Sequence, residues 1–295
     1  MTSVVIPKNV TSLGQHVFEN CPSLTTVEID EGVTSTFDSV FNDNKSLTTV
    51  ILPDSLKTIG SQTFRNCTAL TSINIPEGVE SIGTWAFSNT ALESVEIPDS
   101  VTGKLDSVFQ DCSSLTSVKI GAGVEELSGT FNSCIELREI EIPENITYIG
   151  HNAFNNCQSL LKVTILNQNV TIRNDITYND KTTFNNGLDE TGSSFFAGTI
   201  YGYNNSTAQA FAERNSYKFE SLGDPPRDLG DVNGDKAVDS SDAALILKEY
   251  ATVQGGNEAS FSEADIEVAD FNNDTLIDSS DAALILKAYA ENQAK

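Results

Sequence analysis

A short apolar-x-apolar signature recurs through the first part of the chain: VVIP at Val4, VEID at Val27, VILP at Val50, INIP at Ile73, VEIP at Val95, VKIG at Val118, IEIP at Ile140 and VTIL at Val163. The steps between them are 23, 23, 23, 22, 23, 22 and 23 residues. Each unit adds a phenylalanine about fourteen residues in, at Phe18, Phe41, Phe64, Phe87, Phe109, Phe131 and Phe154, and then a leucine, at Leu24, Leu47, Leu70, Leu92, Leu115, Leu137 and Leu160. A unit this short cannot bury its own apolar stripe, so neighbouring units must stack and cover one another.

The opening signature alternates with period two and predicts a short strand with its outer residues inward. The middle residues, Val5, Glu28, Ile51, Asn74, Glu96, Lys119, Glu141 and Thr164, then face solvent. Eight strands at the sheet spacing predict a parallel ladder about 34 Å long. Proline or glycine turns the chain after each strand, and the G-x-x-x-F-x-N-C stretch suits a short helical turn opposite. The unit I-P-x-x-V-x-x-I-G-x-x-A-F-x-N-C-x-x-L-x-x-V over residues 4 to 172 resembles the BspA-like class of bacterial leucine-rich repeats. The expected fold of residues 1–172 is therefore a leucine-rich-repeat solenoid, mainly β.

After Ile172 the period lapses, and residues 173–195 read as an insertion rich in turn formers. TIYGY, a capping box at Ser206 and Gln209, and YKFESL predict strand, helix and strand closing the solenoid by residue 222. Residues 223–227 form a short linker stiffened by two prolines.

Residues 228–295 have a different grammar. DSSDAALILKEYA from Asp239 matches DSSDAALILKAYA from Asp278 in 12 of 13 positions, and Ser260 with Glu263 is a candidate capping box for a helix between them. Each duplicated helix follows an oxygen-rich loop, DVNGDKAVDSSD from Asp231 and DFNNDTLIDSSD from Asp270. A calcium loop offers oxygens at positions 1, 3, 5, 7, 9 and 12, the seventh through its carbonyl. Those positions hold Asp231, Asn233, Asp235, Ala237, Asp239 and Asp242, then Asp270, Asn272, Asp274, Leu276, Asp278 and Asp281. Carboxylates converging on one centre repel one another without a cation. Val238 and Ile277 at position 8 are apolar anchors, while Lys236 and Thr275 stand where such a loop ordinarily has glycine. Position 12 is Asp instead of Glu, and PPRDLG cannot form an entering helix.

Paired loop–helix units of this kind over residues 228–295 resemble a type I dockerin, a small all-α calcium-binding domain. The resemblance implies two calcium ions held by the residues just named, and a cohesin module of a scaffoldin as partner. It places the cohesin contacts at Ser240, Ser241, Leu247 and Lys248, repeated at Ser279, Ser280, Leu286 and Lys287. The near-identity of the copies implies two binding orientations related by about 180°. The competing role of the serines is helix-entry capping. A secreted, extracellular, cellulosome-associated location follows from the resemblance, and with it a leader, although MTSVVIPKNV has no signal-peptide pattern.

The remaining chemistry is sparse. Lys plus Arg number 17 against 42 Asp plus Glu, a formal charge of −25, which disfavours nucleic acid and anionic lipid. No apolar run is long enough to span a membrane. Cys21, Cys67, Cys112, Cys134 and Cys157 share one repeat slot and read as a buried packing column. His16 and His151 read as surface turn residues, and Glu28, Glu96 and Glu141 as a solvated face. No nucleophile motif or phosphate loop is present. The expected function is a non-catalytic cellulosome subunit whose solenoid binds a protein or carbohydrate. The alternatives are a polysaccharide-degrading enzyme or a protease-inhibitor module.

Overall fold

The structure, a computed structural model, describes residues 1–10, 12–36, 38–173, 183–188 and 194–293. The chain divides into two compact units, Met1–Asp224 and Pro225–Lys295.

The first unit is a parallel β-solenoid. The strands opening the repeats pair in register, Val4 beside Val27 beside Val50, and Ile140 beside Val163 beside Ile200. Seven of the eight middle residues are exposed, and Thr164 is half-buried. The predicted single ladder is nevertheless interrupted: Ser3–Ile6, Thr26–Ile29 and Thr49–Ile51 form one sheet, Ser94–Glu96 and Ser117–Lys119 a second, and Glu139–Ile142 onward a third. The segment around Ile73 forms no strand. The first break spans the whole Ile73 unit, entered by a 23-residue step and left by a 22-residue one, and the second falls on the other 22-residue step, from Val118 to Ile140.

The repeat carries a second ladder that the single-strand reading missed. Ser12–Leu13, Ser35–Thr36, Thr58–Ile59 and Ser81–Ile82 pair in parallel, as do Gly103–Asp106, Val124–Ser128, Tyr148–Ile149 and Thr171–Ile172. Its signal is an apolar residue that precedes a glycine in four units, at Leu13, Ile59, Ile82 and Ile149, and stands without one at Leu105, Leu127 and Ile172.

The third side holds the expected turns, in the form of separate i to i+3 bonds. In one coil Thr63, Arg65 and Cys67 N–H donate to Gly60, Gln62 and Phe64 carbonyls. Left-handed residues break each run: His16 and Asn20, Ser39 and Asp43, Gln62 and Asn66, Trp85 and Asn89, Ser107 and Asp111, Asn152 and Asn156 all have φ between 50° and 61°. They turn alternate N–H groups along the stack, so that Gln62, Phe64 and Asn66 donate to Thr84, Ala86 and Ser88 of the next unit. Asn and Asp recur here because they tolerate this backbone at least cost after glycine.

Inside, the phenylalanines form one column from Phe18 to Phe154, ring centroids 5.4–5.8 Å apart and planes within 19°. Phe184, in the segment read as an insertion, extends it with a ring 5.3 Å from Phe154. Gly187–Leu188 and Ser194–Phe195 pair antiparallel beside it; residues 174–182 and 189–193 of that segment lie outside the described residues. Phe211 meets Phe184 at the end of the column edge-on, and Tyr217 packs edge-on against Phe211. Helix α1, Thr207–Asn215, and strands Thr199–Gly202 and Lys218–Ser221 close the stack as expected. Ser206 caps α1 through Gln209 N–H, but the Gln209 side chain reaches Asn205 N–H, one residue before the predicted partner.

The five cysteines are free. Four are buried, and Cys21 is half-buried. The Cys67, Cys112, Cys134 and Cys157 thiols donate to the carbonyls of Phe41, Phe87, Phe109 and Phe131, one unit back, over 3.1–3.3 Å. Asn44 and Thr90 fill the same slot in the units without cysteine, and each donates to a phenylalanine carbonyl. Burial holds the Cys67 and Cys157 thiols up at about 12. His16 and His151 are exposed, as expected of turn residues.

The second unit contains helices α2, Ser240–Gln254, α3, Glu263–Ala269, and α4, Ser279–Gln293. Ala243, Ile246, Val268, Ala282 and Ile285 form its core, with Val238 and Ile277 against it. The capping box of α3 is Ser262 with Asp265, not Ser260 with Glu263. Ser260 is engaged elsewhere: its N–H and hydroxyl both donate to the Glu249 carboxylate. No helix among the described residues is long and apolar enough to cross a membrane.

Candidate metal centre

The two loops before α2 and α4 share one hydrogen-bond pattern. At position 1, the Asp231 carboxylate accepts N–H bonds from Gly234, Asp235 and Lys236, and Asp270 accepts from Asp274 and Thr275. Position 12 closes each loop: Asp242 accepts from Asn233 and Asp239 N–H, Asp281 from Asn272 and Asp278 N–H, over 3.0–3.2 Å. Asp242 and Asp281 are fully buried and Asp231 nearly so. A buried carboxylate costs several kcal/mol unless paired or bonded; here loop amides meet it on both oxygens.

The backbone bends where a calcium loop must bend. Gly234 and Asn273 at position 4 have φ of 75° and 58°, and Lys236 and Thr275 at position 6 have φ of 70° and 71°. The missing glycines thus leave the loop shape intact, and two L-residues bear a left-handed backbone costing about 1–2 kcal/mol each.

Asp239 and Asp278 at position 9 are half-buried at the loop exit, and the hydroxyls of Ser241 and Ser280 hold their carboxyls below the usual range. Each of these serines also accepts a bond from the position 3 amide, Asn233 Nδ2 at 2.8 Å and Asn272 Nδ2 at 2.9 Å. Ser241 and Ser280 are therefore parts of the loop, while the cap of α2 is Asp239 and not a serine. Ser240 and Ser279 are exposed, and their hydroxyls make no hydrogen bond among the described residues. Leu247 and Leu286 are 43% and 42% exposed, and Lys248 and Lys287 are exposed beside them.

Among the described residues no three Asp, Glu, His or Cys side chains gather into a metal-holding group by themselves. The four carboxylates of each loop are thus not drawn onto one centre as the spacing led us to expect, but with asparagine oxygens at position 3 and carbonyls at position 7 they make an all-oxygen donor list that suits a hard cation. The residues fit calcium in chemistry and in spacing, and nitrogen or sulfur ligands for a softer metal are absent from both loops.

The one mismatch between the duplicated helices has a structural cause. Glu249 accepts bonds from Ser260 N–H, Ser260 hydroxyl and Phe261 N–H, tying α2 to the turn before α3. Its counterpart in α4 is Ala288.

Residues 1–116 and 105–221 match the profile of the BspA type leucine rich repeat region, in six copies. Residues 229–289 match that of the dockerin type I domain. Among solved structures, a leucine-rich repeat protein from Bacteroides ovatus is similar at 22% identity, with a TM-score of 0.47 over 75% of this chain and 71% of that one. The leucine-rich repeat protein of T. pallidum, TpLRR, is similar at 28% identity, with a TM-score of 0.49 over 54% of this chain and 78% of that one. No curated protein matches the chain.

Proposed function

Because the chain belongs to the BspA-type leucine-rich-repeat family and ends in a type I dockerin domain, we propose that it is a cellulosome subunit that docks through calcium-loaded loops and presents its solenoid to a ligand. Both domain types are interaction modules, not catalytic ones. Type I dockerins bind calcium and occur in extracellular assemblies.

In this reading one ion is held by Asp231, Asn233, Asp235, Ala237, Asp239 and Asp242, and a second by Asp270, Asn272, Asp274, Leu276, Asp278 and Asp281. Calcium supplies charge neutralisation for the acids of each loop and couples loop closure to folding. The cohesin of a scaffoldin meets Ser240, Ser241, Leu247 and Lys248 in one orientation and Ser279, Ser280, Leu286 and Lys287 in the other. The observation that carries this is the near-equality of the two faces, closed alike by the position 12 aspartate and nearly identical in leucine exposure.

A cohesin array probed with the chain, with and without chelator, tests the docking. Calcium-dependent capture is expected, and calcium-independent capture or none would refute it. Orientation is tested at Ser240 and Leu247, whose side chains have no loop duty. Ser240→Arg with Leu247→Glu leaves affinity nearly unchanged, and adding Ser279→Arg with Leu286→Glu abolishes it. Loss of binding in the first variant alone overturns dual orientation. The solenoid's ligand is a protein or a carbohydrate, and its exposed strand face and turns form the extended surface that would receive it.

A further inference from the structure

The chain has one tryptophan, Trp85, and it stands in a backbone slot that repels it. The slot lies two residues before each column phenylalanine and is left-handed throughout: His16, Ser39, Gln62, Ser107, Gly129 and Asn152 occupy it elsewhere. Those occupants are polar or lack a side chain, as an exposed left-handed position favours. A bulky residue there is an outlier, and burial does not compensate, since Trp85 remains 38% exposed. A lone exposed apolar residue ordinarily calls for no explanation; one held in a strained backbone does.

Neighbouring units hold the indole in place. The Arg65 guanidinium lies over the ring, 5.5 Å from its centroid, and Arg65 Nη1 donates to Gln62 Oε1 at 2.9 Å. On the other side Trp85 Nε1 donates to Gln110 Oε1 at 3.3 Å, and Gln110 Nε2 donates to Asp111 Oδ2 at 3.1 Å. The result is a fixed indole with a guanidinium over one face, and with the Gln110 amide and the Asp111 carboxylate at its N–H edge keeping further donor or acceptor capacity, so that a ligand would stack on the other face. A rigid plate loses little entropy on binding. A pyranose ring presents the complement, an apolar C–H face and a rim of hydroxyls.

We propose that Trp85, with Gln62, Arg65, Gln110 and Asp111, forms a saccharide-binding site on the solenoid. This rests on the reading of the solenoid as a ligand-presenting module and commits it to the carbohydrate class.

The single tryptophan makes the test specific, because all indole emission reports on this site. The full chain is titrated with cellohexaose, xylohexaose and mannohexaose while emission is followed, and affinities are measured by calorimetry. At least one hexasaccharide is expected to give a saturable shift of the emission to shorter wavelength. Trp85→Gln, which copies the residue tolerated in this slot at Gln62, should weaken binding by about tenfold or more, and Trp85→Phe should restore part of it. Circular dichroism and cohesin capture check that both variants fold. No saturable shift with any probe, or equal affinity for Trp85→Gln, overturns the site. Retention of Trp85→Gln on insoluble cellulose or xylan to the same extent as the parent chain would sink the Trp85 site while leaving the solenoid's ligand-binding role standing.

Discussion

Single side chains explain the points at which each repeat departs from its own rule. Glu249 is the clearest, since its carboxylate satisfies two amides and a hydroxyl that have no counterpart after α4. Glu249→Gln should destabilise the C-terminal unit by about 1–3 kcal/mol, read from its melting transition. The Ser260 hydroxyl holds the Glu249 carboxyl below its ordinary value of 4.5. A carboxyl depressed on folding stabilises above its unfolded pKa, and the effect is lost as pH falls through the folded one. The C-terminal transition should therefore weaken as pH drops below about 4.5, and Glu249→Gln should flatten that acid limb. Position 6 offers the opposite test: Lys236→Gly with Thr275→Gly removes two left-handed L-residues and should tighten calcium binding, measured by calorimetry. Of these features the oxygen-rich loop pattern and the missing glycines were legible in the sequence, because spacing alone specifies them. The partner of Glu249 was not, because Ser260 looked like a helix cap and nothing local distinguishes it from Ser262.

Among the repeating elements, the phenylalanine column and the cysteine slot carry most of the packing. Phe109 is fully buried between Phe87 and Phe131. Phe109→Ala should cost the solenoid about 3–5 kcal/mol through the cavity it leaves, seen as a lower denaturation midpoint. The slot needs a small donor to a carbonyl more than it needs sulfur. Cys112→Thr, copying Thr90, should leave the melting temperature close to that of the parent, and reducing agent should not change it. The column was legible from the period, but Phe184 was hidden because its 30-residue distance from Phe154 breaks the step on which recognition relied. The second ladder was not legible because six of its eight strands have two residues, too few to show a periodicity of their own.

The two compact units differ in how they hold negative charge. Residues 228–295 carry 15 acids against 4 bases, and eight of those acids are proposed calcium ligands. Calorimetry of the full chain should show two transitions, with chelator lowering only the one assigned to the C-terminal unit; a chelator effect on both, or on neither, would contradict the assignment. The architecture of both units lay in the sequence, since a repeated apolar stripe must be stacked and a repeated oxygen-rich loop must be neutralised. Only the tertiary structure decided where the strand ladder breaks, which serine serves the loop and which stays free, and that Trp85 is held open on the surface. Those outcomes depend on register and on contacts between units, and a repeat period specifies the presence of neighbours without specifying the hydrogen bonds between them.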